Sequence, residues 1–381
     1  MEFQFFLFQR RRRWMMMSGS VLMLNLAKKR VPRLQRVDVQ SPIDSLGMGK
    51  ALLDLPRQIE RSFDESKKIS GLPDAAKVDQ VVILGMGGSG IAGDIVKAIA
   101  TPLARIPIIV SKGYECPTFV SSRTFVVAAS FSGDTEETLE AAGAASERGA
   151  QIMAVTCGGK LQGAAENWDG SIHLVDSLIP MPRCAVAAMS LPVLVAMDLI
   201  GLIPDVETEV QGLLRTVRER CNSIRDGLDT YRSVAQKIGN KTPLIYGGGD
   251  LGQVAATRLK NQINENAKIP AFSNVLPELC HNEMAGWGSS SEMATVNMEA
   301  VHLRHDYEHP RLAARFDFNE SVALTDRVEV TTVNAQGPSA LAQLFDLIVI
   351  GDQISLELAA LHSQDPGPID ILAQLKQELA K

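Results

Sequence analysis

Cysteine is scarce in this chain, and its five copies form no recognisable framework. They are scattered through 381 residues, and no two have the close spacing of metal ligands: Cys116, Cys157, Cys184, Cys221 and Cys280. A small disulfide scaffold and a zinc-cysteine module are therefore excluded as interpretations. We expect reduced thiols in a cytoplasmic protein.

The chain also lacks a strong excess of one charge and a convincing membrane span. Its net charge is -6 and its pI is about 5.6, which argues against a general nucleic-acid-binding surface. Residues 185–203 are almost all apolar, but they include Pro192 and Asp198 and have no aromatic belt at either end. A carboxylate is costly in lipid, so this segment predicts a buried helix or subunit interface. Together with the net charge, this predicts neither a membrane nor a nucleic acid as a partner.

Acidic residues are missing from residues 3–37. An apolar run at residues 3–8 precedes a basic run at residues 10–13, which is the reverse of the order in a secretory signal. The composition resembles an organellar transit peptide only faintly. We expect residues 1–40 to be a disordered extension, or to result from a start codon assigned too far upstream.

What the chain does contain is an alternation of short apolar runs and helical patterns. The runs lie at residues 81–84, 106–110, 125–129 and 152–156, and helices are expected at residues 91–99 and 135–148. Apolar strands alternating with helices predict a parallel sheet that is covered on both faces.

The same order of strand, glycine loop and helix occurs twice. The first loop begins at Gly85 and the second at Gly247, an offset of 247 − 85 = 162 residues. Between them, apolar residues at steps of three and four over residues 207–240 predict one linker helix, with a coiled coil as the alternative. The fold class is therefore α/β, with two doubly wound parallel-sheet domains joined by a long linker helix.

The predicted domain boundaries follow from this repeat. The first domain spans residues 41–205, the linker helix residues 206–240, and the second domain residues 241–381. Later strands of the second domain are expected near residues 294–296 and 328–330, and a helix is expected over residues 339–362.

The first glycine loop, residues 85–90, reads Gly-Met-Gly-Gly-Ser-Gly and has two interpretations. Its spacing fits a dinucleotide site, but such a site also needs an acidic residue at the end of the second strand to hold the ribose. That strand ends at Ser111-Lys112, and the nearest acid, Glu115, lies further along the chain. This argues against NAD without excluding it.

The third predicted strand runs into a hydroxyl-rich loop, residues 130–138. Ligands of open parallel sheets bind at the carboxyl ends of the strands, and helix N-termini bind phosphate. Side chains of this loop and groups of the glycine loop are expected to surround one phosphate: Gly87, Gly88, Ser89, Ser130, Ser132 and Thr135. Capping of the following helix by Ser132 and Thr135 is a competing, and compatible, interpretation.

On these two loops, and on three further motifs, the chain resembles the bifunctional phosphoglucose/phosphomannose isomerase family. The further motifs are Pro182-Arg183, Asn264-Glu265-Asn266-Ala267-Lys268 and residues 277–283, Pro-Glu-Leu-Cys-His-Asn-Glu. The resemblance covers residues 44–381 and implies two flavodoxin-like sugar isomerase (SIS) domains. It implies interconversion of glucose 6-phosphate, and of mannose 6-phosphate, with fructose 6-phosphate, without a cofactor or metal.

The resemblance also assigns roles to single residues. Glu265 is the base that moves a proton between C1 and C2 through a cis-enediol, and Arg183 stabilises the charge on the enediolate. His281 opens the sugar ring and is contributed by the neighbouring subunit of a homodimer. Lys376 matches the catalytic-site lysine that the family carries near its C-terminus. Gly367 stands where the family is expected to have threonine, which leaves the balance between mannose and glucose open.

Two other interpretations remain. A sugar-phosphate sensor with the same fold would lack the base or the histidine, and both are present. His302, His305 and His309 have a spacing that suggests a metal site, but nothing in the sequence supplies the rest of a catalytic coordination sphere.

Overall fold

A computed structural model describes residues 43–228, 231–287 and 297–379 of the chain, without the side chains of Lys376 and Leu379. The predicted extension at residues 1–40 and the strand predicted at residues 294–296 lie outside these described residues.

The first sheet has five parallel strands in the order β2-β1-β3-β4-β5. In chain order these are β1 (Gln80–Leu84), β2 (Ile108–Ser111), β3 (Thr124–Ala129), β4 (Gln151–Thr156) and β5 (Ser171–Leu174). This is the flavodoxin-like strand order. The predicted doubly wound α/β fold is confirmed.

Alternate residues of the first sheet enter two separate cores. In β1, Val81 and Ile83 face one apolar cluster, whereas Val82 and Leu84 face another on the opposite side. This period of two is what burial of a strand on both faces requires. The covering helices are α3 (Gly87–Ala100), α4 (Glu136–Glu147), α5 (Gly159–Asn167) and α6 (Val186–Ile200).

The second sheet has four described parallel strands in the order β7-β6-β8-β9. They are β6 (Thr242–Gly248), β7 (Phe272–Leu276), β8 (Met298–Arg304) and β9 (Glu329–Asn334). Its helices are α9 (Gly249–Gln262), α10 (Arg311–Thr325), α11 (Ala340–Leu361) and α12 (Asp370–Leu379). The order repeats that of the first four strands of the first sheet, so the predicted duplication extends to topology.

The predicted linker helix is two helices, α7 (Val206–Arg225) and α8 (Tyr231–Ile238). Gly227 has a φ of 67°, and the amide of Leu228 donates to the carbonyl of Ser223 at 3.0 Å. This arrangement closes the end of α7 because glycine adopts the left-handed conformation easily. The spacing of apolar residues continues across this break, so periodicity alone predicted one continuous helix.

One apolar core joins the two sheets. Helix α3 packs against α9, and α11 packs against α7, α8 and α9. Near the amino end, α1 (Met48–Leu53) and α2 (Leu55–Ser66) cover the same core. The apolar segment at residues 185–203 contains α6, which is almost fully buried as predicted. None of the described helices is long and apolar enough to cross a membrane.

Candidate active site

The first glycine loop connects the end of β1 to the start of α3. The helix begins at Gly87 itself, whose φ is 51°, so the first amides of α3 lie within the loop. A Cβ on Gly88 would lie 3.0 Å from the carbonyl carbon and oxygen of Pro182 and 3.2 Å from the amide nitrogen of Arg183. The glycine loop therefore touches the backbone that carries the predicted arginine.

The hydroxyl loop follows β3 and meets the glycine loop directly. The hydroxyl of Ser89 accepts a hydrogen bond from the amide of Phe131 at 3.2 Å. Ser130 Oγ lies 2.7 Å from Thr135 Oγ1 and accepts from the amide of Gly133 at 3.1 Å. Two loops about 40 residues apart in the sequence thus lie together at the carboxyl edge of the first sheet. This position was predicted because both loops follow parallel strands.

Burial separates the four hydroxyls into two pairs. Ser89 is 5% exposed and Ser130 is 0% exposed, whereas Ser132 is exposed and Thr135 is half-buried. Thr135 occupies the N-cap position of α4, but its side chain makes no capping hydrogen bond. The capping interpretation is therefore wrong for Thr135, because its hydroxyl is paired with Ser130 instead.

Arg183 lies in a 3₁₀ turn, Pro182–Cys184, and reaches into the second domain. It is only 4% exposed. Its Nε donates to Asn266 Oδ1 at 3.0 Å, and its Nη2 donates to the carbonyls of Pro366 at 2.5 Å and Gly367 at 2.8 Å. Its Nη1 lies 3.5 Å from Glu265 Oε2 but has no hydrogen-bond partner among the described residues. Burial lowers the pKa of the guanidinium, and the carboxylate of Glu265 opposes this shift.

A second buried ion pair holds the main chain of Arg183. Arg258 on α9 donates through Nη2 to the carbonyl of Arg183 at 2.8 Å and through the same group to Asp352 Oδ2 at 2.6 Å. Burial raises the pKa of Asp352, and Arg258 opposes this. Asn266, which accepts from Arg183, in turn donates to Ser355 Oγ at 2.8 Å. Side chains of α9 and α11 therefore support an arginine of the first domain.

Glu265 lies where α9 changes its winding. The helix is followed directly by a π-helical turn, Ile263–Ala267, a feature that frequently occurs at functional sites. The side chain of Glu265 is 31% exposed. Lys268 follows in a left-handed conformation, and its ammonium donates to the carbonyl of Glu265. Burial, followed by the nearby charge of Arg183, lowers the pKa of Lys268.

His281 ends a 3₁₀ turn, Glu278–His281, that follows β7. The residue is exposed, and within the described part of the chain its imidazole forms no hydrogen bond or ion pair, either with Glu265 or with Arg183. The structure thus brings Arg183, Glu265 and the two loops together but leaves His281 at the surface. The backbone of Lys376 belongs to α12, and its side chain lies outside what the structure describes.

The second glycine loop has the same backbone pattern but different chemistry. Helix α9 begins at Gly249 with a φ of 61°, as α3 begins at Gly87. However, Leu251 stands at the position of Ser89, and a Cβ on Gly248 would lie 3.0 Å from the carboxylate of Glu308. An apolar side chain and a carboxylate occupy the region where a phosphate would bind. A cavity of about 700 Å³ near this loop has mainly apolar walls and lies away from Arg183 and Glu265.

The three histidines that suggested a metal site have other partners. His302 is buried, its Nε2 lies 2.9 Å from Asn319 Oδ1, and burial lowers its pKa to about 4. His305 Nε2 lies 2.9 Å from the carbonyl of Gly248, and His309 Nδ1 accepts from the amide of Arg311 at 3.2 Å. Within residues 43–228, 231–287 and 297–379, no group of three or more His, Cys, Asp or Glu side chains is arranged to hold a metal ion.

Comparison with known proteins finds two family models and several relatives that match this chain. Residues 229–379 match the model of the bacterial phospho-glucose isomerase C-terminal SIS domain, and residues 75–172 match the SIS domain. The bifunctional phosphoglucose/phosphomannose isomerase of Caldicellulosiruptor bescii is 36% identical over 338 residues, which cover 88% of this chain and 99% of that protein. The protein of that name from Aquifex aeolicus is 32% identical, with 79% and 90% covered.

The chain belongs to the bifunctional phosphoglucose/phosphomannose isomerase family. Solved structures support the same fold at lower identity. Tagatose-6-phosphate ketose/aldose isomerase from Escherichia coli matches with a TM-score of 0.61 and 17% identity, covering 84% of this chain and 95% of that chain. The C-terminal domain of glucosamine-fructose-6-phosphate aminotransferase from Francisella tularensis matches with a TM-score of 0.65 and 16% identity, covering 84% and 97%.

Several residues that support Arg183 in this structure were not singled out by the sequence. Arg258 and Asp352 are 94 positions apart, and neither lies in a motif that suggests a role. Asn266 does lie beside Glu265 in a quoted motif, and its contact with Arg183 explains why an amide belongs there. A charged residue in an apolar run is the sequence signal that could have found Asp352, which lies in the apolar helix α11. Arg258 lies in a helix with several polar residues and has no such signal.

Proposed function

We propose that this protein interconverts glucose 6-phosphate, and mannose 6-phosphate, with fructose 6-phosphate. The observation that carries the proposal is the free Nη1 of Arg183. It is a buried charged donor without a hydrogen-bond partner among the described residues, and it lies 3.5 Å from the carboxylate of Glu265. A donor left open beside a carboxylate suits a reaction in which a proton moves while charge develops on a neighbouring oxygen.

The phosphate of the substrate is proposed to bind at the edge shared by the two loops of the first domain. The first amides of α3, at Gly87 and Gly88, provide free N–H groups and the positive end of the helix dipole. Ser132 and Thr135 are the hydroxyls that solvent reaches, and they are proposed to contact the phosphate. Ser89 and Ser130 are buried and hold the loops in place, so their contribution to binding is through this support.

Glu265 is proposed to transfer the proton between C1 and C2. It removes the proton from C2 of the aldose, which gives a cis-enediolate. The proton of the O2 hydroxyl passes to O1, and Glu265 returns its proton to C1, which gives the ketose. Arg183 donates to the oxygen on which negative charge develops, and its other donors are occupied by Asn266, Pro366 and Gly367. Oxidation at C2 and reduction at C1 occur within one molecule, so the step consumes no redox cofactor.

His281 is proposed to open the sugar ring. The O1 hydroxyl loses its proton, the bond from C1 to the ring oxygen breaks, and the ring oxygen takes up a proton, all of which one imidazole can mediate. Because His281 is exposed and away from Glu265, we propose that the active protein is a homodimer in which each copy supplies this residue to the other. Lys376 is proposed to serve as the catalytic-site lysine of the family. The setting proposed is cytoplasmic carbohydrate metabolism, in glycolysis and gluconeogenesis.

The base assignment is tested with Glu265→Gln. This substitution preserves shape but removes the proton acceptor, so we expect isomerisation to fall by about 10²- to 10⁴-fold. Binding of fructose 6-phosphate, followed as a rise in melting temperature, should remain. Glu140→Gln, on the exposed face of α4, is the matched control and should behave as wild type. Wild-type turnover in Glu265→Gln would refute the assignment, whereas a wild-type protein that binds but never isomerises would favour the sensor alternative.

A further inference from the structure

The turn that carries His281 rests on an apolar anchor. Leu279, two residues earlier, is 0% exposed and packs in a cluster with Tyr246, Leu276 and Phe316. His281 itself is exposed at the other end of the same turn. The turn therefore has one residue fixed in the core and its histidine facing outward.

A carboxylate clamp fixes the chain on the other side of His281. Glu283 Oε1 accepts a hydrogen bond from the hydroxyl of Tyr246, and Oε2 accepts from Asn274 Nδ2 at 2.6 Å. Tyr246 and Asn274 are directly opposite each other in the register of β6 and β7. Two cross-strand neighbours of the sheet thus donate to the two oxygens of one carboxylate, which defines both its position and its orientation.

Both donors of this clamp, the hydroxyl of Tyr246 and the amide of Asn274, are held ready to donate to Glu283. Tyr246 is 1% exposed, and burial, together with its hydrogen bond to Glu283, raises the pKa of the phenol, so the hydroxyl stays protonated and remains a donor. The side chain of Asn274 is held through its oxygen, which accepts from the amide of Val275 at 2.8 Å.

Asn282 braces the turn from within. Its Oδ1 accepts from the amide of Glu283 at 2.6 Å, and its Nδ2 donates to Glu278 Oε1 at 3.0 Å. His281 therefore lies between Leu279, which is anchored in the core, and Glu283, which is clamped to the sheet. A long exposed segment loses entropy when it is ordered, and a turn held in this way loses little more when its histidine engages a substrate.

We infer that Glu283, together with Tyr246 and Asn274, positions His281 for ring opening in a neighbouring subunit. This inference rests on the proposed function and adds to it three residues that do not touch the substrate. A fixed geometry matters because His281 must present one ring nitrogen to two oxygens in turn, and a misplacement of 1 Å can cost about 10²-fold in rate.

The test follows two reactions in the wild-type protein and in each variant. Ring opening and closure alone interconverts the α and β anomers of glucose 6-phosphate, and it is measured by exchange NMR without isomerisation. Isomerisation is measured as formation of fructose 6-phosphate. Anomer exchange does not use the proton transfer between C1 and C2, so the two measurements report on ring opening and on isomerisation separately.

Tyr246→Phe removes one donor of the clamp and keeps the aromatic ring in the core. We expect anomer exchange to fall by about 10- to 100-fold. The KM for glucose 6-phosphate should change less than twofold, because the clamp is built on the second sheet and the phosphate loops follow strands of the first. Tyr307→Phe is the matched control. Its hydroxyl donates to the carbonyl of Pro338 at 3.3 Å, and its loss should leave anomer exchange unchanged.

An exchange of partners keeps the test decisive if Tyr246→Phe unfolds. Glu283→Gln places an amide donor opposite the amide of Asn274 and should lower anomer exchange. Combining it with Asn274→Asp restores one donor and one acceptor, and should recover at least half of the loss on a logarithmic scale. Wild-type anomer exchange in folded Tyr246→Phe and Glu283→Gln would overturn the positioning role. A wild-type protein with neither reaction would instead refute the proposed function.

Discussion

The contact between the glycine loop and the turn of Arg183 gives the sharpest mutational test of the site. Gly88→Ala places a Cβ 3.0 Å from the carbonyl group of Pro182 and 3.2 Å from the amide nitrogen of Arg183. Ordinary contacts of this kind begin at 3.4 Å, so the two backbones must separate by 3.4 − 3.0 = 0.4 Å. Because both sides are backbone, neither yields by a side-chain rotation.

The size of the effect follows from that displacement. If 1 Å costs about 10²-fold in rate, a shift of 0.4 Å predicts a loss of about 6-fold in kcat/KM. Overpacking of a close contact costs about 1–3 kcal/mol, against which the better helix propensity of alanine returns about 0.5–1 kcal/mol. The free energy of unfolding should therefore fall by up to about 2.5 kcal/mol.

The matched control is Gly163→Ala in α5. A Cβ at Gly163 meets nothing within 4 Å, and the residue is exposed. This variant should gain about 0.5–1 kcal/mol and keep the wild-type kcat/KM. Both variants are compared by denaturant unfolding and by initial rates with glucose 6-phosphate. If Gly88→Ala behaves like Gly163→Ala in both measurements, the close contact between the glycine loop and the backbone of Arg183 is not needed for activity.

Two further substitutions probe Arg183 and the backbone that it contacts at Gly367. Arg183→Lys leaves a single ammonium to serve Asn266, Pro366 and Gly367, so kcat should fall by about 10²- to 10³-fold, and an undiminished kcat in steady-state assays would contradict the role given to the guanidinium. Gly367→Thr restores the residue type expected for the family but puts a Cβ 2.8 Å from Leu46 Cγ. We expect the free energy of unfolding to fall by about 1–3 kcal/mol and to recover when Leu46→Ala is added. An unchanged melting temperature in the single variant would show that this packing is not tight.

The parts of the fold that were predictable are those with strong local signals. The strand before Gly85 and the strand before Ser130 are short, fully buried apolar runs closed by turn residues, and both occur as predicted. Strand β7 was not predicted, because four of its five residues, Phe272 to Val275, are only partly buried or exposed. The break at Gly227 was missed because the apolar spacing continues past it.

Only the parts of the site that lie in local sequence motifs were predictable. The adjacency of the glycine and hydroxyl loops follows from parallel strands ending at one edge. The support of Arg183 by Arg258 and Asp352 does not, since it depends on how the second domain packs on the first. The clamp on Glu283 is equally non-local, because Tyr246 and Asn274 meet only through the register of β6 and β7.

The most direct measurement is the rate at which the purified wild-type protein forms fructose 6-phosphate from glucose 6-phosphate and from mannose 6-phosphate, assayed side by side without added nucleotide. The proposed roles of Arg183 and Glu265 predict turnover of glucose 6-phosphate and of mannose 6-phosphate. Absence of turnover with both substrates, in a folded protein that fructose 6-phosphate still stabilises against heat, would contradict the proposed isomerase activity.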